Sequence, residues 1–130
     1  MRVQVKDFMS APVTTAMEEF NVLEIRTLMK EKGIHAEIIN IHTIKPLDTE
    51  AILESVKKTG CAVSAEEHQV NGGLGDSIAQ TLIRHNPAPL EYVGVNDSFG
   101  ESGTPTQLLE KYGLNAENIV KAVKRAMARK

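Results

Sequence analysis

The sequence predicts an α/β fold in which parallel strands are covered by helices on both faces. Three observations predict it. Short apolar runs with strand character recur between turn residues: "AEIINI" (36–41), "CAVSA" (61–65) and "LEYVGV" (90–95). The segments between them carry helical periodicity and have the length of crossover helices, which parallel neighbours require and which run right-handed. The runs are continuously apolar rather than alternating, as strands covered on both faces are.

The elements follow in order. "VQV" and "PVTT" are short extended pieces around "KDFMSA". A helix is expected over residues 18–32, with Val22, Ile25, Leu28 and Met29 inward and Gly33 as its stop. After the strand at 36–41, Asp48 caps a helix whose apolar positions are Ala51, Ile52, Leu53 and Val56, and Gly60 ends it. After the strand at 61–65, Leu74, Ile78, Ala79, Leu82 and Ile83 form the apolar stripe of the next helix. "NPAP" (86–89) ends that helix, because proline cannot continue it and restricts the residue before. Beyond the strand at 90–95, Thr104 caps a short helix with Pro105 at its first position and Gln107 completing a capping box. Gly113 stops it, and Asn115 caps a last helix with Ile119, Val120, Ala122, Val123, Ala126 and Met127 buried. The basic end "KRAMARK" suits the negative pole of that helix.

The bulk numbers narrow the function classes. A length of 130 residues suits one domain over residues 1–130. A net charge of -2 leaves no whole-chain field for nucleic acid or an acidic membrane surface. With three Phe, two Tyr and no Trp, base stacking has little to work with. A single cysteine, Cys61, fits a reducing compartment, and neither a spanning run nor a secretory signal is expected. The expectation is a cytoplasmic protein.

The stretch "EEHQVNGGLGDSIAQTL" (66–82) is the chemically richest. As a dinucleotide cradle it supplies Gly73 and Gly75, but Ile78 stands where the third glycine belongs, and Glu91 is poorly placed as the ribose acid. The phosphate-loop Gly-Lys-Ser/Thr is missing as well. In an extended chain Glu66 and His68 share a side, where a carboxylate orients an imidazole for acid–base work. Of the possible nucleophiles, Ser64, Ser77 and Ser98 lie in no recognisable motif. His35, His42, His68 and His85 show no paired metal spacing, and Cys61 reads as a buried thiol. The favoured reading is a polar strand end feeding a glycine turn, in which Gly75 allows close helix–sheet packing and Asp76 stabilises the first helical turn.

Four stretches taken together, "INIHTIKPLD", "SAEEHQVNGGLGDSIA", "VNDSFGESGTPTQLLEKYGL" and "ENIVKAV", resemble the C-terminal domain of transketolase over residues 34–130. That resemblance implies a three-layer α/β/α fold with a mainly parallel sheet of about five strands. It also implies that thiamine diphosphate sits between other domains and that this one serves assembly and dimer contacts. The family's Gly-Asp-Gly cofactor motif is not met by "GDS" at 75–77. Residues 3–33 depart from the pattern: "VKDFMSAPVTT" and "NVLEIRTLMKEKGI" resemble the first strand and helix of a CBS domain, with the switch at "EKGIHAE". Two families in one folding unit imply a chimera, natural or engineered. An adenosine pocket of the CBS type needs the missing second half, so Thr14 and Thr15 read as strand residues.

The sequence is thus expected to encode a non-catalytic structural or assembly domain, with no catalytic, cofactor-binding or metal residue assigned. Its expected partners are a second copy or the cofactor-binding domains of a transketolase-like enzyme, and neither nucleic acid nor membrane. Two alternatives stand beside it: a fragment of a split thiamine-diphosphate-dependent transketolase, active only beside the subunit that carries the cofactor, and an adenosine-nucleotide-binding module.

Overall fold

A computed structural model describes residues 2–3, 12–15, 22–96 and 102–130. The elements are β1 (Arg2–Val3), β2 (Pro12–Thr15), α1 (Val22–Glu31), β3 (Glu37–Asn40), α2 (Thr49–Thr59), β4 (Ala62–Gln69), α3 (Leu74–His85), β5 (Leu90–Val95), α4 (Pro105–Lys111) and α5 (Ala116–Ala128). The strands form one sheet in the order β1-β3-β2-β4-β5. β1 runs antiparallel to β3, while β3, β2, β4 and β5 run parallel. The short β2 lies inside the sheet, with Val13 opposite Ile38 on one side and Val63 on the other.

Helices cover both faces. On one, α1 and α5 close over Ile38, Val63, Ala65 and Val93 through Ile25, Met29, Ile119, Val120 and Val123. On the other, α2 and α3 close over Ile39, Ala62 and Leu90 through Ile52, Val56, Leu74, Ile78 and Leu82. Each fully buried Ile, Leu or Val contributes about 1.5–3 kcal/mol relative to exposure, so the two cores carry the fold.

The caps form as the sequence dictates. Asp48 accepts from the Ala51 amide at 3.1 Å, and Asn115 accepts from Asn118 at 2.9 Å. Thr104 and Gln107 make a reciprocal capping box at the start of α4.

Three details differ from expectation. Ile83 is 73% exposed. At 100° per residue it falls opposite the direction set by Leu74, Ile78 and Leu82, and Thr81 takes the inward place. In α2 the buried side includes Ser55 and Thr59, each hydrogen-bonded: Ser55 donates to the buried Glu37 carboxylate, and Thr59 donates to Ser55 O at 2.9 Å. β4 continues to Gln69, four residues past its expected end, through a register irregularity between Ala65 and Gln69. That extension puts Glu66 and His68 on the strand itself, at the polar strand end that feeds the glycine turn.

For α1, the described helix begins at Val22; the expected start at residue 18 lies outside the described residues. Among the described residues no helix is long and apolar enough to cross a membrane.

Candidate functional site

The richest cluster of polar groups lies where β4 hands over to α3, at the carboxyl end of the parallel strands. Open α/β sheets place their ligand crevices at such ends. Glu66 and His68, two apart on β4, project from one face of the sheet. Glu66 is 2% exposed, whereas the His68 side chain is 61% exposed. Asp76 stands in the first turn of α3, and Tyr92 reaches in from the neighbouring strand β5.

The geometry explains why glycines occupy this turn. Gly72 has φ of +80°, a conformation that side-chain-bearing residues resist. A Cβ on Gly73 would meet the Glu66 carboxylate at 1.8 Å, and one on Gly75 would meet the Tyr92 ring at 2.1 Å. Strand and helix thus approach so closely that their contact is carboxylate and ring against bare backbone.

Gly73 stands at the N-cap of α3 and has no side chain to cap with. Two carboxylates substitute for it. Glu66 Oε2 accepts from the Gly75 amide at 3.3 Å and takes a second bond from the Leu74 amide. Asp76 Oδ2 accepts from the Gly72 amide at 2.6 Å. Tyr92 donates its hydroxyl to Asp76, and burial, followed by the Asp76 charge, pushes that phenol above its usual range. Burial also raises the Glu66 carboxyl above its ordinary value; the Leu74 and Gly75 amides and then His68 oppose the shift, and the Asp76 charge adds to it. Glu66 Oε1 has no hydrogen-bond partner and lies 3.9 Å from His68 Nδ1. His68 Nδ1 meets Gln69 O at 2.7 Å, so its proton is directed to a backbone carbonyl and Nε2 is left outward in the neutral ring.

This arrangement decides between the chemistries that the sequence raises. A phosphate cradle needs free amides at a helix N-terminus. Here the Gly72, Leu74 and Gly75 amides already serve Glu66 and Asp76, and their negative charge repels a further anion. For nucleophilic catalysis, the structure does not pair the serines with His68: Ser64 Oγ is buried without a hydrogen-bond partner, and Ser77 donates to Gly73 O at 3.5 Å. Ser98 lies outside the described residues. Cys61 is fully buried, and burial raises its thiol despite the Lys130 charge. Among the described residues, His35, His42, His68 and His85 join no group of three or more potential metal ligands. Glu91 is held by Arg125 and Arg129 at 3.2 and 2.6 Å, away from any ribose role. Thr14 and Thr15 pair by backbone within the sheet. The residue missed from the sequence is Tyr92. Nothing local marks it, because its partners Gly75 and Asp76 lie 17 and 16 positions earlier.

Thiamine diphosphate fails the same test of fit. Asp76, the acid of "GDS", is committed to the Gly72 amide and the Tyr92 hydroxyl, and Gly75 to the Glu66 carboxylate. These residues form a closed joint and do not fit a magnesium diphosphate.

Comparison with known proteins gives one consistent answer. The family model of the transketolase C-terminal domain matches residues 12–119. The 6-deoxy-6-sulfo-D-fructose transketolase subunit SqwH of Clostridium sp. (strain MSTE9) is 50% identical over 99 residues, covering 76% of this chain and 31% of the relative. A subunit of the apulose-4-phosphate transketolase of Phocaeicola vulgatus is 34% identical over 102 residues, covering 78% of this chain and 32% of the relative. A solved structure described as a split-gene transketolase, inactive beta4 tetramer, superposes with a TM-score of 0.86 at 36% identity and covers 100% of this chain and 42% of that one. The chain spans about a third of the length of these curated relatives. The family match runs through the junction expected at residues 31–37 and includes β2 and α1. The CBS-like segment and the chimera therefore find no support, and the adenosine pocket that depended on them loses its basis. The physical reason is the sheet itself: residues 12–15 are its inner strand, continuous in register with both neighbours.

Proposed function

The chain belongs to the transketolase C-terminal domain family, and from that premise we propose that it is the assembly domain of a split or longer transketolase-like enzyme. The domain works beside a section that carries thiamine diphosphate and contributes no reacting group of its own. The observation that carries this reading is the closed β4–α3 joint, where Glu66 and Asp76 occupy the amides that a cofactor phosphate would take. The subunit names of two relatives support the division of labour. Their different sugars also support placing the choice of substrate outside this domain.

The test is reconstitution. Alone, the chain is expected to show no ketol transfer and no thiamine diphosphate binding by calorimetry. Mixed with the cofactor-binding section of a transketolase-like enzyme, it is expected to co-elute and to restore transfer. Cofactor binding by the isolated chain, or failure to associate with that section, overturns the reading.

A further inference from the structure

The helices α1 and α5 cover one face of the sheet and leave a groove of about 300 Å³ between them, lined by Leu28, Lys32, Glu117, Val120, Lys121 and Lys124. Helical spacing aligns these residues. Lys121 and Lys124 follow Glu117 by four and seven positions on α5, and Lys32 follows Leu28 by four, just past the end of α1. Leu28 and Val120, both packed in the core, make an apolar floor. The three lysines stand exposed on its rim, where their methylene stems extend the apolar surface and their ammonium groups reach water. From residue 116 to 130, Glu117 is the one acid against Lys121, Lys124, Arg125, Arg129 and Lys130. Arg125 and Arg129 share Glu91. Lys32, Lys121 and Lys124 make no ion pair with any described residue. Three unpaired cations and one carboxylate thus give the groove a local field opposite in sign to the net charge of -2 on the chain.

We propose that this groove docks an acidic segment of the cofactor-binding section, with an apolar side chain on Leu28 and Val120 and carboxylates against the three lysines. The inference rests on the assembly reading above and adds the face through which it works. Charge and chemistry select the occupant. A short acidic segment feels the groove, because charges further off than a Debye length of about 8–10 Å are screened. A long polyanion or an anionic membrane faces the negative chain as a whole, and the groove has no aromatic ring on which a base could stack. A second copy lacks the complement. On each of α1 to α4 the acids are matched in number by bases, as Glu50 and Glu54 are by Lys57 and Lys58 on α2, so no helix offers an excess of acid.

Titration calorimetry of the chain with the cofactor-binding section, at about 0.05 M and about 0.5 M salt, tests it. The wild type is expected to bind at low salt and to weaken at least about tenfold at high salt. Lys32→Glu, Lys121→Glu and Lys124→Glu combined should weaken low-salt binding at least about tenfold, and the same three positions changed to Gln should weaken it less. Lys57→Glu with Arg84→Glu, on the other helical layer, should leave it unchanged. Circular dichroism establishes that each variant is folded, and the Gln variant carries the test if the Glu variant is not. Equal binding by the wild type and the folded variants overturns the groove and leaves the assembly reading standing; no binding by the wild type overturns both. A dimer of the chain alone that the triple variant dissolves gives the groove to a second copy and overturns the assignment. Retention of single-stranded DNA by the wild type but not by that variant overturns it as well.

Discussion

At Glu66 a strand's polar end meets the positive end of a helix, and burial sets the sign of a pH effect. The native carboxyl holds its proton more firmly than the unfolded one, because desolvation outweighs the Leu74 and Gly75 amides. Its contribution to stability is full below the unfolded value and is lost as pH rises through the raised native one. Glu66→Gln keeps a carbonyl acceptor without the charge, so the variant gains on the native protein as pH rises above the unfolded carboxyl value of about 4, read by urea unfolding. Gly75→Ala drives a methyl into the Tyr92 ring and is expected to cost about 1–3 kcal/mol by the same assay. Cys61, fully buried with a raised thiol, should react with a thiol reagent only after denaturant is added. The sequence shows that Glu66, His68 and the glycines lie together where a strand hands over to a helix. It does not show that the carboxylate turns inward to cap a helix, since that depends on an approach distance no local pattern encodes.

Helices were the most legible elements, because their signals are local. Asn115 and Thr104 announce their helices by residue type alone and both cap as expected. Asn115→Ala should lower stability by about 1 kcal/mol, and Ile119→Ala, emptying a fully buried site, by about 2–5 kcal/mol. Ile83→Lys is the contrasting case: an exposed position on α3 should change stability by no more than about 0.5 kcal/mol in thermal or urea unfolding. The misplacement of Ile83 shows the limit of counting apolar residues without following their angle. Strand ends were less legible. β4 runs four residues further than its apolar run, because the polar Glu66–Gln69 segment is still paired with β5 across an irregular register.

For the molecule as a whole, the layers were readable and the strand order was not. Apolar runs and crossover lengths announce a helix-covered parallel sheet, but order follows from pairings between distant segments. Residues 12–15 illustrate this: "PVTT" has neither length nor alternation to mark an inner strand, yet both neighbours pair with it. Ile25 lies in the core under α1 and α5, and Ile78 in the core under α2 and α3. Ile25→Ala and Ile78→Ala should each shift one common transition, read by circular dichroism, if residues 22–31 belong to the same folding unit as the rest. The inner position of β2 also bears on where the chain can be cut. Trimming ahead of α1 would not shorten the sheet from its margin but open a slit between β3 and β4, ready to accept any extended peptide, including a neighbour's own. Such a truncation invites donor-strand exchange and runaway polymer, so a workable expression boundary lies upstream of residue 12.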